Sequence, residues 1–228
     1  MSRGRGDSRA GRIVVRLLGA AMLVGGVAVL APVGWDLWVV SPAASQDQQQ
    51  AAEAQSRAWA SSGAVRTTSI PVAEEPRATG DAVAVLTVPR FGAHWKRLVR
   101  QGVDEASVLN SATAGVGHYP GTSMPGGVGN FAVAGHDTGY GDAFLKVSKL
   151  RIGDRIVVQT AEGVYTYRFR NFQWVQPDQV AVLQPVPMRG DRIATARLIT
   201  LTTCDPPYDA KERMIAYGVL ESFAAASA

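Results

Sequence analysis

From Asp81 to its end the chain is a succession of short runs rich in Val, Ile, Thr, Tyr and Phe, each soon cut off by Gly, Pro or Asp. The runs are Val83–Val88, Asn130–Ala134, Arg155–Thr160, Tyr165–Arg170, Ala196–Thr203 and Met214–Leu220. β-branched and aromatic side chains suit a pleated, half-buried surface, and this spacing of turn signals marks short strands. About seven or eight such strands predict a closed or nearly closed β-barrel, an all-β fold. The segment Tyr165 to Trp174 alternates as a half-buried strand should, and Ala161–Val164 is short enough to make a hairpin. Phe91–Lys96 reads as a strand-to-strand turn. One short helix is expected at Val103–Leu109, with acids in its first turn, and another from Pro177-Asp178 into Gln179–Leu183. A dinucleotide or P-loop fold is excluded: Gly126-Gly-Val-Gly129 precedes a strand instead of linking strand to helix.

The amino terminus has a different character. Arg3, Arg5, Arg9, Arg12 and Arg16 face a single acid, Asp7, and an uncharged stretch follows from Leu17 to Trp35. About 20 mostly apolar residues suffice to cross a bilayer core. LWVV extends the apolar surface past Asp36. Basic residues on the near side predict a cytoplasmic N-terminus and an exported C-terminal bulk. A cleavable signal would have a shorter core and a small-residue cleavage site. Ser41-Pro-Ala-Ala-Ser45 imitates that site poorly because of Pro42, so a retained anchor is expected. The predicted organisation is a basic tail (1–16), a membrane anchor (17–40), an extracellular linker or stalk (41–80) and a catalytic domain (81–228). Within the linker, Gln46–Ala60 has the composition of a stalk helix, and Ser61–Gly80 that of a tether.

The formal net charge is +4, and its distribution matters more than its size. Residues 1–40 hold five basic and two acidic groups, residues 41–80 three and four, and residues 81–228 fifteen and thirteen. A nearly balanced globular part offers no basic face for nucleic acid.

The chain has one cysteine, Cys204, at the end of the β-rich run LITLTTC. Without a partner it is a packed small hydrophobe, an intermolecular bridge or a nucleophile. The Asp205-Pro-Pro-Tyr turn that follows favours a rim position. Arg213 opens the next strand, and neighbouring strands would set its guanidinium beside the thiol. There it would lower the thiol pKa or hold an acyl oxygen that gains charge; the alternative is an ordinary pairing with Glu212 or Asp209. His136 closes the run Phe131–Gly135 and is the side chain best suited to move a proton near neutrality. His94 and His118 read as structural. One Cys and three scattered His lack zinc-ligand spacing, and no acidic cluster resembles a calcium cage, so neither metal nor cofactor is expected. A thiol and an imidazole at separate strand ends form the pattern of an exported cysteine transferase or hydrolase.

TLTTC, the downstream arginine and the Gly-His strand end together resemble the sortases, membrane-anchored cysteine transpeptidases of Gram-positive bacteria. His118 to Phe144, HYPGTSMPGGVGNFAVAGHDTGYGDAF, is most similar to class E of the actinobacteria. The resemblance covers Val83 to Leu220. It implies an eight-stranded barrel with one or two short helices and a groove at the strand ends. By that resemblance Cys204 attacks the Thr–Gly carbonyl of a sorting signal, LAxTG-like in place of the commoner LPxTG. His136 is then the general acid/base, and Arg213 binds the substrate carbonyl and the oxyanion. Thr203 would add a substrate contact, and His118 and Tyr119 would line the groove, unless HYPGT is a structural loop. The implied partners are surface proteins bearing the signal, the amine of a cell-wall peptide, and the membrane.

Two residues depart from the class pattern: Asp137 follows the histidine where a basic residue is common, and Asp205 follows the cysteine where histidine is common. Both acids are expected to disfavour a thiolate and favour an imidazolium. The competing readings are a cysteine hydrolase that uses water and a non-catalytic exported adaptor. A pilus-assembling sortase would carry an acidic-aromatic lid before Val83, which this sequence does not show.

Overall fold

The computed structural model describes residues 7–35, 40–61, 69–76, 78–207 and 209–226. It divides into two units, residues 1–40 and 41–228. In the first, helix α1 runs from Asp7 to Trp35. Its 22-residue segment Gly11–Pro32, which holds an 18-residue window of mean hydropathy 2.3, is long and apolar enough to cross a membrane. The first six tail residues, Asp36 and the first three residues of the LWVV extension (37–39) lie outside the described residues.

The second unit is an eight-stranded closed barrel. In chain order the strands are β1 (Ala82–Thr87), β2 (Lys96–Gln101), β3 (Val116–His118), β4 (Gly129–Gly135), β5 (Arg155–Gln159), β6 (Gly163–Val175), β7 (Arg197–Asp205) and β8 (Glu212–Ala225). Around the barrel they follow the order β1-β2-β3-β4-β7-β8-β6-β5, and β5 closes back onto β1. The β2–β3 and β4–β7 pairs are parallel and the others antiparallel. Closure leaves no exposed sheet edge.

The six expected strands are all present. β6 alternates buried and half-buried positions from Gly163 to Phe169, and the Ala161–Val164 link is the hairpin between β5 and β6. Inward-facing residues such as Leu86, Phe131, Ile156, Tyr167 and Leu201 fill the barrel. Each contributes about 1.5–3 kcal/mol by leaving water. Two strands were not among the expected ones. β3 has only three residues, too few to show a period. β2 reads KRLVRQ, and its interior Arg97 argues against a strand in sequence; yet Arg97 is only 2% exposed. Its guanidinium donates to Ser45 Oγ at 2.7 Å, Gly141 O at 3.0 Å and Lys96 O at 2.9 Å.

Ser45 belongs to helix α2, Ser41–Ala60, which corrects the stalk expectation. α2 lies against β2 and β1 and buries Ala52 with Val85 and Leu98. Ser56 Oγ donates to Gln159 Oε1 at 2.6 Å, and Gln159 Nε2 donates to Ser56 O at 3.1 Å. An alanine- and glutamine-rich helix suits this place because small residues permit close approach to the sheet. Of the expected tether, residues 62–68 and 77 lie outside the described residues. Its later part lies along the barrel: Ala73 N–H donates to Pro125 O at 2.9 Å, and Tyr165 Oη to Pro71 O at 3.1 Å.

The two expected helices are single turns. Glu105–Leu109 is one π-helical turn, capped by Asp104, whose Oδ1 accepts from Ser107 N–H at 2.8 Å. Val180–Leu183 is a 3₁₀ turn.

Candidate active site

Three strands converge on the thiol. β7 and β8 are antiparallel neighbours, and Cys204 stands directly opposite Arg213 in their register. On the other side of β7 runs β4, parallel to it, with Ala134 opposite Thr202. Thr203 Oγ1 continues that register by donating to Gly135 O at 2.9 Å. His136 follows Gly135 directly, just past the end of β4. Cysteine, histidine and arginine therefore come from three adjacent strands, β7, β4 and β8, at one end of the barrel.

Each side chain has its own surroundings. Cys204 is half-buried and free. Burial pushes its thiol up; Arg213 pulls it down, and Asp137 and Glu105 add to the rise. His136 is also half-buried, and burial carries its imidazole down despite the opposing fields of Glu105 and Asp137. The ring donates from Nε2 to Asn110 Oδ1 at 2.8 Å, which leaves Nδ1 as the basic nitrogen. Its face lies 5.5 Å from the ring of Tyr140, centre to centre. Arg213 Nη1 donates to the carbonyls of Ala210 and Glu212 at 3.1 and 3.2 Å. Among the described residues no carboxylate pairs with it; Asp209 pairs with Lys211 instead. A guanidinium held by backbone carbonyls keeps N–H groups available for an oxygen that gains charge.

Arg213 also lines a cleft of about 160 Å³ together with Tyr119, Thr202, Val175, Val180 and Ile215. Tyr119 and Thr202 join their hydroxyls across it at 3.0 Å. Tyr119 thus lines the same cleft as Arg213. Thr203 is buried, and its hydroxyl donates to Gly135 O, which aligns β7 with β4.

His118 is a correction. Expected to line the groove, it is fully buried and stacks on Phe131 with centroids 5.2 Å apart. Its Nδ1 donates to Gln101 Oε1 at 2.7 Å, and Nε2 accepts from Thr122 Oγ1 at 2.9 Å. Burial lowers its pKa to about 4, so the ring is neutral. The HYPGT segment is therefore structural at His118, the last residue of β3, and lines the cleft beside Arg213 at Tyr119.

The two acids divide as well. Asp137 is buried, its Oδ1 accepting from Thr138 N–H at 2.8 Å, and it acts on both Cys204 and His136 in the expected directions. For the imidazole burial wins, so the net movement is downward. Asp205 accepts from Trp174 Nε1 at 3.0 Å and has no part in either shift. Glu105, Asn110 and Tyr140 were missed in the sequence. Glu105 opens the 105–109 turn, Asn110 follows it and Tyr140 lies in the loop after β4, and only the fold brings them to the imidazole.

The Sortase domain family model matches residues 86–221, which contain His136, Cys204 and Arg213. The chain belongs to the sortase family. Sortase SrtE1 of Streptomyces coelicolor is 33% identical over 212 residues, 90% of this chain and 57% of SrtE1, so the chain spans a little over half of that relative's length. The solved SrtA sortase from Actinomyces oris matches with a TM-score of 0.64 at 34% identity, covering 70% of this chain and 90% of that one. The crystal structure of sortase E1 from S. coelicolor with a tripeptide in the active site matches with a TM-score of 0.59 at 33% identity, covering 66% and 94% of the two chains. These likenesses set this sortase beside those of class E.

Proposed function

We propose that this sortase is a membrane-anchored cysteine transpeptidase that cuts a C-terminal LAxTG- or LPxTG-type sorting signal between Thr and Gly. The observation that carries this reading is the opposition of Cys204 to Arg213 across β7 and β8, with His136 at the end of the parallel β4. Cys204 Sγ adds to the Thr carbonyl carbon as the thiol proton passes to His136, and the resulting oxyanion is held by Arg213. The tetrahedral species collapses to a Cys204 thioester while His136 protonates the departing glycine amine. A cell-wall peptide amine then attacks the thioester, gives its proton to His136 and expels the thiolate. A thioester conserves the acyl energy of the cut peptide bond, so no cofactor or metal is called on.

The cleft beside Arg213 is the groove for the signal, with Tyr119 on its wall. A tripeptide in the active site of S. coelicolor sortase E1 supports a peptide substrate. The apolar Gly11–Pro32 segment and the arginines around its start support a single-pass anchor with the barrel outside the cell.

The test uses the full chain in detergent with quenched LAxTG and LPxTG peptides, with and without an oligoglycine amine, beside Cys204→Ala. Ligated product from the wild type alone is expected, with LAxTG the faster substrate. Free acid formed in preference to ligated product would make the protein a cysteine hydrolase. No turnover, with Cys204 inert to alkylation, would overturn the enzymatic reading.

A further inference from the structure

We propose that Gln48 of α2 is a positioning residue for His136, clamping together the two loops that hold the imidazole. The inference rests on the transpeptidase reading for its catalytic meaning, although the clamp itself is a matter of geometry.

His136 has two side-chain neighbours that orient it, Asn110 at Nε2 and Tyr140 against the ring face. They lie on separate loops, after the 105–109 turn and after β4. Gln48 is fully buried, and its Nε2 donates to Ser111 O at 3.0 Å and to Tyr140 O at 2.7 Å. One amide group thus ties the residue after Asn110 to Tyr140 itself. Both acceptors are carbonyls, so only the nitrogen of the amide satisfies them.

The surroundings are built to admit this side chain. A Cβ on Gly115 or on Gly141 would stand 2.6 Å from Gln48 Oε1. Both glycines have positive φ, 75° and 91°. The loop that Gln48 holds also needs holding: Tyr140 and Asp142 are left-handed at φ 51° and 50°, which costs a non-glycine residue free energy. Arg97 secures the same loop through Gly141 O while bonding Ser45 of α2. The loop after His136 is therefore held at two successive residues, Tyr140 by Gln48 of α2 and Gly141 by Arg97 of β2. Gln48 Oε1 is left without a partner in a buried place, so the side chain gives up one hydrogen bond while making two elsewhere.

The consequence is an imidazole whose Nε2–H tautomer is held by Asn110, which stays in place only while Ser111 and Tyr140 are kept together. Glu105 and Asp137 are the charged groups whose fields act on the ring, and neither is moved by removing a neutral amide. A change in His136 on substitution of Gln48 would thus report orientation and hydrogen bonding.

The experiment compares wild type, Gln48→Asn and Gln48→Met as full chains in detergent, by histidine ¹⁵N NMR and by peptide ligation. The chain has three histidines, and buried His118 serves as the internal witness of an intact barrel. Wild-type His136 is expected as the Nε2–H tautomer. Gln48→Met keeps the bulk and loses the donor; it should mix the two tautomers and lower kcat by about 10- to 100-fold with KM little changed. Gln48→Asn, one methylene short, should fall between. A Gln48→Met chain with an unaltered His118 signal, a pure His136 tautomer and wild-type kcat would overturn the proposal. So would loss of the His118 signal in both variants with no graded effect on His136, which would make Gln48 a packing residue. If the wild type ligates no peptide, the transpeptidase reading fails, while the tautomer comparison still decides the clamp.

Discussion

Two histidines on neighbouring strands of the same barrel have opposite fates. His118, at the end of β3, is sealed in, stacked on Phe131 and bonded through both ring nitrogens. His136, just past the end of β4, is half-buried, bonded through one nitrogen, and beside the strand that carries the thiol. Both are pushed down by burial, but only His136 has carboxylates opposing that push. An imidazole becomes useful for proton transfer when one nitrogen is fixed and the other is left unspent. Saturating both makes it a structural cross-link.

The largest expected effect separates the two directly. His136→Gln should lower kcat/KM for ligation by about 10²- to 10⁴-fold, the usual range for loss of a general acid/base, with the thermal midpoint nearly unchanged. A folded His136→Gln chain of wild-type activity would end the comparison. His118→Ala should do the reverse. It opens a cavity and strands Gln101 and Thr122, at a cost of about 2–4 kcal/mol, while the molecules that remain folded keep their activity.

The same residue predicts a pH effect on stability. His118 titrates near its ordinary 6.5 when unfolded and at about 4 when folded. Between those values the unfolded chain holds a proton that the folded chain refuses. Its contribution is thus fully present above about pH 6.5 and is lost as pH falls towards 4, amounting to about 3 kcal/mol. Denaturant titrations across that window should show the loss in wild type and a flatter profile in His118→Gln.

The smallest effect concerns the acids around the catalytic pair. Asp137 raises both the thiol and the imidazole. Asp137→Asn should therefore move both limbs of the kcat/KM profile to lower pH, each by less than about one unit. A shift of only one limb would show that Asp137 acts on one member of the pair alone.

The barrel itself was legible because its strands carry their own signal. β1, β4, β5, β6, β7 and β8 are β-branched or aromatic runs between turn residues, and that pattern follows from the pleat. Cys204 and His136 were legible as strand-end residues, and Arg213 as the first residue of a following strand. β2 was not legible, because Arg97 makes sense in a strand only when α2 and the Gly141 carbonyl lie over it. α2 was legible as a helix at 46–60 but its seat was not: a polar, alanine-rich helix looks the same whether it stands free or covers a sheet.

The residues by themselves determined most of the extended segments, where an apolar helix lies and which three side chains are candidates for the chemistry, since these depend on local periodicity and on residue type. The tertiary structure alone decided which histidine is spent, which acid acts on the thiol, and that Gln48, 88 positions before His136, reaches both loops around it. Those outcomes depend on desolvation and on hydrogen-bond partners supplied by distant segments. Neither is encoded within the reach of a local pattern.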